Sequence, residues 1–195
     1  DFARASRDRF SGRLRIGMIP TIAPYLLPAV IGNLTRQHPE LEIHVREALT
    51  SKLIQELAEG RLDTAIVALP VSEPSLTEVA LFAENFLLVR PGENEGAPVP
   101  SIEMLREMRL LLLEEGHCFR DQALSFCSMQ STLPREVLDA SSLSTLVQMV
   151  GAGMGVTLIP EMAVAVETRA ATVSLARFSD PQPSRTIGMV WRKTS

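Results

Sequence analysis

Cysteine is nearly absent from this sequence, and several familiar chemical signatures are missing with it. There are two cysteines among 195 residues, too few for the disulfide framework of a small secreted domain and a number that suits a reducing compartment. No apolar run approaches the roughly 18 residues that span a bilayer. The start, Asp1 to Gly12, is polar and lacks the apolar core of a signal peptide. An initiator methionine is missing too, so the chain reads as a piece of a longer protein. A cytoplasmic location without a membrane partner is the expectation. The three histidines, His38, His44 and His117, are scattered, whereas a zinc site needs about four clustered nitrogen or sulfur ligands. No metal is expected. Neither a C-x-x-C pair nor a G-x-S-x-G elbow nor paired carboxylates occur, which argues against dithiol redox enzymes and hydrolases. Gly151-Ala152-Gly153-Met154-Gly155 has the composition of a phosphate loop but follows a helix and precedes a strand, the reverse of the nucleotide-binding order. It reads as a helix C-cap and tight turn, and no cofactor is expected. A net charge of -4 gives the chain no general attraction for nucleic acid or anionic membrane.

What is present is ordinary globular material, 46% hydrophobic and 22% charged. Asp1 to Phe10 reads as a solvated helical tail or linker stopped at Gly12. Strands are predicted over 14–19, 41–46, 64–69, 79–82, 86–89, 110–113, 137–138, 156–159 and 186–191. Residues 41–46 alternate as a strand with one wet face, and 64–69 is a continuous apolar run of buried parallel-strand character. Helices fall between them. One follows the Thr21–Pro24 turn with Leu26, Leu27, Val30, Ile31 and Leu34 on one face. Thr50 or Ser51 caps a second that stops at Gly60, and Ser101 and Ser142 cap two more. A Pro/Gly-rich linker, residues 91–100, divides the two rhythms. This alternation predicts two α/β halves. Ligands in such folds bind outside the carboxyl ends of strands, which selects Thr21, Thr50 and the pair His117-Cys118.

Both cysteines lie in one stretch, Gly116-His117-Cys118-Phe119-Arg120-Asp121-Gln122-Ala123-Leu124-Ser125-Phe126-Cys127. Composition alone favours two buried apolar residues. The neighbours argue otherwise, since Arg120 and Asp121 fall within one turn of Cys118, and thiols become reactive near cations and helix starts. A continuous helix would hold the two Cα atoms about 13 Å apart. A disulfide needs roughly 5.5 Å, so bonding Cys118 to Cys127 would require the segment to unwind or bulge.

Together these segments resemble the regulatory domain of LysR-type transcriptional regulators. The carrying residues are the Val150–Pro160 glycine turn and strand, and Arg15-Ile16-Gly17 with Pro28. Within the family, the hydrogen-peroxide sensors are most similar, through Ile19-Pro20-Thr21, Pro24–Pro28, Gly116-His117-Cys118 with Arg120-Asp121-Gln122-Ala123, Phe126-Cys127 and Arg185-Thr186-Ile187-Gly188. The resemblance runs from about Arg13 to Arg192.

The resemblance implies two Rossmann-like α/β subdomains joined by two crossover strands, as in type 2 periplasmic binding proteins. Subdomain I would comprise 13–85 and 187–195, subdomain II 86–186, and residues 1–12 the end of a linker helix. The DNA-binding helix-turn-helix of such regulators is missing. Cys118 would be oxidised by peroxide to a sulfenic acid and condense with Cys127 into a disulfide. Thr21, Thr50, His117, Asp121 and Arg185 would form the peroxide pocket. Implied partners are hydrogen peroxide, further copies in a homodimer or homotetramer, and thiol reductants such as glutaredoxin or thioredoxin. The full-length protein would add RNA polymerase, and DNA through the missing domain. Such a sensor is not an enzyme. Three other readings compete: a LysR-type domain binding a small organic effector with inert cysteines, a solute-binding protein of a transport system, and a thiol peroxidase.

Overall fold

The computed structural model describes residues 12–127 and 137–193. The expectations for Asp1 to Phe10 and for residues 130–136, to which the sequence assigns no role, lie outside the described residues. Two compact units are present, one reaching Leu81 and resuming at Ile187, the other spanning Phe82–Thr186.

In unit 1 the chain runs β1 (Arg13–Met18), α1 (Ala23–Gln37), β2 (Glu42–Glu47), α2 (Thr50–Ala58) and β3 (Thr64–Leu69). Strand β1 pairs in parallel with β2, Met18 facing Glu47, and with β3, Met18 facing Ile66. The order β2-β1-β3 continues into β9 (Ser184–Arg192). Ala65 to Ala68 are all buried, as their unbroken apolar run requires of a parallel strand covered on both faces. Leu53 and Leu57 of α2 close this core with Ile16 and Met18.

Unit 2 begins within β4 (Leu76–Pro91) and continues through α3 (Ile102–Glu107), β5 (Leu110–Leu113), α4 (Cys118–Phe126), β6 (Val137–Ala140), α5 (Leu143–Gly151), β7 (Thr157–Pro160), α6 (Val164–Glu167) and β8 (Val173–Arg177). Both β7 and β8 pair antiparallel with β4, while β5 and β6 pair in parallel. All four leucines of β5 are buried. The chain passes between units twice, within β4 and at the start of β9.

Most expected elements appear, with instructive differences. The strands predicted at 79–82 and 86–89 are one strand, β4, because the polar residues between them do not break pairing; Glu84 is itself buried. Neither Thr50 nor Ser51 caps α2. Leu49 occupies the N-cap without a side-chain bond, and Thr50 is the first helical residue. Ser101 and Ser142 do cap, accepting from the backbone N–H groups of Met104 and Thr145 at 3.2 Å each. Strand β2 is an edge strand, and Val45 is 42% exposed where one dry face was expected. The apolar face of α1 is half-buried; Ala23 is its one buried residue. Strand β8 and helix α6 were not anticipated, the first for its mixed Val-Ser-Leu-Ala-Arg pattern and the second for its four-residue length.

The Gly151–Gly155 turn follows the reading of its sequence. The N–H of Gly153 bonds to Val150 O at 2.9 Å and that of Met154 to Met149 O at 3.1 Å, the paired bonds of a Schellman C-cap. Gly153 has φ +82° with open space around it. Gly155 has φ +157°, and a Cβ there would stand 2.5 Å from the carbonyl oxygen of Arg109. Gly153→Ala is therefore expected to lose about 1 kcal/mol from left-handed strain alone. Gly155→Ala is expected to lose about 2–4 kcal/mol, because a backbone clash adds to the strain. Denaturant midpoints of the two variants check that order.

Candidate functional site

Helix α4 carries the reactive candidates, and its start is fixed by neighbours of Cys118 rather than by Cys118 itself. After β5 the chain turns at Gly116, His117 becomes the N-cap, and Cys118 is the first helical residue. Arg120 donates from one terminal nitrogen to the carbonyl of Leu113 at 2.8 Å and to Oδ1 of Asp139 at 2.9 Å. These bonds tie the first turn to the ends of β5 and β6. Arg120, which lies within one turn of Cys118, is thus also paired with Asp139. Phe119 is buried edge-on against Phe86, with ring centroids 4.6 Å apart.

The helix runs unbroken from Cys118 to Phe126, and Cys127 is its C-cap. Both sulfurs are thiols, Cys118 half-buried and Cys127 buried. Nine residues at about 1.5 Å each place their Cα atoms about 13 Å apart, beyond disulfide reach. The burial pattern explains the helix. Phe119, Arg120, Ala123, Leu124 and Cys127 form one buried stripe at helical spacing. Burial pushes the Cys127 thiol up to about 11, against a smaller opposing effect of the Arg106 charge. Arg106 also donates from Nε to the Cys127 carbonyl at 3.2 Å. Beside it, Phe126 packs edge-on against Phe178 at 4.8 Å.

Arg185 enters from β9 and is buried. Its Nε donates to Oε1 of Glu84 at 2.8 Å, and Oε2 of Glu84 accepts from the backbone N–H of Met162 at 3.0 Å. The guanidinium carbon stands 5.5 Å from the centroid of the Phe119 ring, within cation–π range. Arg185 thus reaches α4 at the residue beside Cys118. Glu84 was missed in the sequence, though a lone acid inside an otherwise apolar strand segment was the available signal. Asp121 lies in the first turn of α4 with its side chain exposed.

The two threonines lie in unit 1. Thr21 is buried just before α1, and Thr50 is half-buried at the start of α2. Each follows by three residues a strand end, Met18 or Glu47, and those two residues pair. Both therefore sit at the carboxyl end of the same parallel pair, as His117 and Cys118 sit at that of β5. The structure groups the expected residues into these two sets, one in each unit. No group of three His, Cys, Asp or Glu side chains suited to a metal occurs among the described residues.

Burial lowers the pKa of His117, with the charge of Glu114 partly opposing. Its imidazole is accordingly neutral at pH 7. With a depressed native pKa, the unfolded chain binds the extra proton first, so stability falls as pH drops through the ordinary value of 6.5. A His117→Gln variant is expected to show a flatter loss of stability below that pH in urea titrations.

Comparison with known proteins places this geometry. The family model described as the LysR substrate binding domain matches residues 7–195. A "Probable hydrogen peroxide-inducible genes activator" of Streptomyces viridosporus is 45% identical over 97% of the chain and 62% of its own length. The "DNA-binding transcriptional dual regulator OxyR" of Escherichia coli K12 is 41% identical over 100% of the chain and 65% of its own length. The chain thus spans somewhat under two thirds of these relatives. Among solved structures, the reduced OxyR regulatory domain of Pseudomonas aeruginosa is 35% identical with a TM-score of 0.84, covering 95% of this chain and 88% of that one. A hydrogen-peroxide-bound OxyR mutant of Corynebacterium glutamicum is 34% identical with a TM-score of 0.87, covering 100% and 65%. The expected fold class, α/β subdomains of periplasmic-binding-protein type, agrees with these likenesses. The chain belongs to the LysR substrate-binding domain family of transcriptional regulators.

Proposed function

We propose that this chain is the peroxide-sensing regulatory domain of a LysR-type transcription factor, with Cys118 as the peroxidatic and Cys127 as the resolving cysteine. One observation carries the reading: the two thiols stand at opposite ends of a single helix, the first half-buried and the second buried. The names of the relatives support the stimulus.

In the first step the Cys118 thiolate attacks one oxygen of hydrogen peroxide, the O–O bond breaks, and hydroxide leaves to become water on protonation. The sulfur is now a sulfenic acid. In the second, the Cys127 sulfur attacks it, the S–O bond breaks, water leaves, and a disulfide forms. Two thiols and one peroxide yield one disulfide and two waters. The neutral His117 imidazole offers one N–H donor and one acceptor, and the Arg185 charge favours the departing hydroxide. Glu84 and Phe119 act as positioning residues that hold Arg185. Asp121, in the first turn of α4, belongs to the same proposed site, while Thr21 and Thr50 stand at the strand ends of unit 1.

Helix α4 explains why resolution and conformational change are one event. In the intact helix the Cys127 thiol, held up to about 11, is almost wholly protonated at pH 7, and it is also too far away. Unwinding brings it within reach and returns it to water, where its pKa falls toward the usual thiol range. The refolded segment then changes the geometry of a homodimer or homotetramer and, through an N-terminal domain, its contacts with DNA and RNA polymerase. The chemistry is stoichiometric, not enzymatic turnover, and is reset by thiol reductants such as glutaredoxin or thioredoxin in a cytoplasmic setting. No helix among the described residues is long and apolar enough to cross a membrane.

Intact mass and peptide mapping after one equivalent of peroxide test this. The expected result is a loss of about 2 Da mapped to a Cys118–Cys127 link. Cys118→Ser should show no change, and Cys127→Ser should gain about 16 Da as sulfenic acid. Absence of any change within minutes at micromolar peroxide would favour a metabolite-binding regulator with inert cysteines.

A further inference from the structure

Helix α4 ends on a bond that its own turns do not supply. The last carbonyls of any helix lack partners within it, and Cys127, the C-cap, carries one of them. Among the described residues its one donor is Arg106, whose Nε stands 3.2 Å away and 21 residues back in the chain. Arg106 has no carboxylate partner among the described residues, unlike Arg120 with Asp139 and Arg185 with Glu84. Its charge is thus available to the negative end of the α4 dipole.

The mount is firm although Arg106 itself is exposed. It sits in the last turn of α3, which Ser101 caps. Leu105, the residue before it, is fully buried, and the N–H of Met108 closes the helix on the Leu105 carbonyl at 3.1 Å. The backbone of Arg106 is held while its side chain crosses to α4. The bond goes to the main chain of Cys127 and not to its sulfur, so it fixes where the residue stands.

Two effects of this cation oppose each other. It favours the intact helix end, and its charge acts against the rise of the Cys127 thiol pKa. Distance decides between them. With the two Cα atoms about 13 Å apart, attack follows release of Cys127 from the helix, and a released Cys127 has left the guanidinium. Holding the end shut is the effect that counts.

We propose that Arg106 is a positioning residue, a latch on the Cys127 carbonyl that sets the rate at which the Cys118 sulfenic acid becomes the disulfide. In that step the S–S bond forms, the S–O bond breaks, and the Cys127 thiol proton leaves with the oxygen as water. The kinetic role rests on the peroxide reading; the latch itself rests on the reduced structure alone.

The test compares Arg106→Gln and Arg106→Lys with the parent chain, at an exposed position where folding is not at stake. In the reduced chains, amide hydrogen exchange at Phe126 and Cys127 is expected to quicken about fivefold in Arg106→Gln, the weight of one net hydrogen bond. Exchange at Ala123 and in α3 should not change. Arg106→Lys keeps a charged donor for the last carbonyl and should recover most of the protection. Quenched-flow mass spectrometry after peroxide should show the sulfenic acid of Arg106→Gln passing to disulfide about fivefold faster. Sulfenic acid formation, measured in a Cys127→Ser background, should keep its rate, whereas a generally loosened fold would alter both steps. Equal exchange in the parent and Arg106→Gln, a uniform rise along α4, or faster exchange without faster disulfide formation would each overturn the proposal. Failure of Cys118 to oxidise in any chain would reject the peroxide reading and the kinetic role with it, and exchange alone would then decide the latch.

Discussion

The distance imposed by helix α4 is the constraint on which the rest depends. So long as the helix is intact, Cys118 and Cys127 lie about 13 Å apart and cannot be joined. A nine-residue helix is marginal by itself, so this one persists through its buried stripe of Phe119, Ala123, Leu124 and Cys127. The same contacts that keep the sulfurs apart keep the second one protonated. Separation and a raised thiol pKa therefore have one cause, and the proposed disulfide requires that both be lifted.

The two ends of that helix are held differently. At its start, Arg120 bridges β5 and β6, and Phe119 lies between Phe86 and the Arg185–Glu84 pair. Removing one partner of a buried ion pair costs about 3–5 kcal/mol, so this end is firm. At its finish, the holds are one hydrogen bond from the exposed Arg106 and the packing of Phe126 on Phe178. In the proposed mechanism the C-terminal end gives way and carries Cys127 toward a fixed Cys118.

Much of this was legible in the residues. The parallel core of unit 1 follows from the unbroken run 64–69, the glycine turn from its place between helix and strand, and α4 from the helix-forming run that follows Gly116. Thr21, Thr50, His117 and Cys118 were selected because they follow strands, a rule of backbone geometry that needs no side-chain detail. What was not legible depends on long-range pairing. Glu84 and Arg185 are 101 residues apart, and nothing local announces that they meet. Arg120 and Asp139 are 19 residues apart, and their pairing is likewise not announced by the sequence. Leu49 displaced Thr50 as the cap of α2 because nothing in the pattern decides between adjacent turn residues.

Amide hydrogen exchange across residues 118–127, before and after oxidation by one equivalent of peroxide, tests the central claim most directly. The account predicts protected α4 amides in the reduced chain and loss of that protection once the sulfurs are linked, with β5 and α5 unchanged. A disulfide that forms while the α4 amides keep their protection would contradict it.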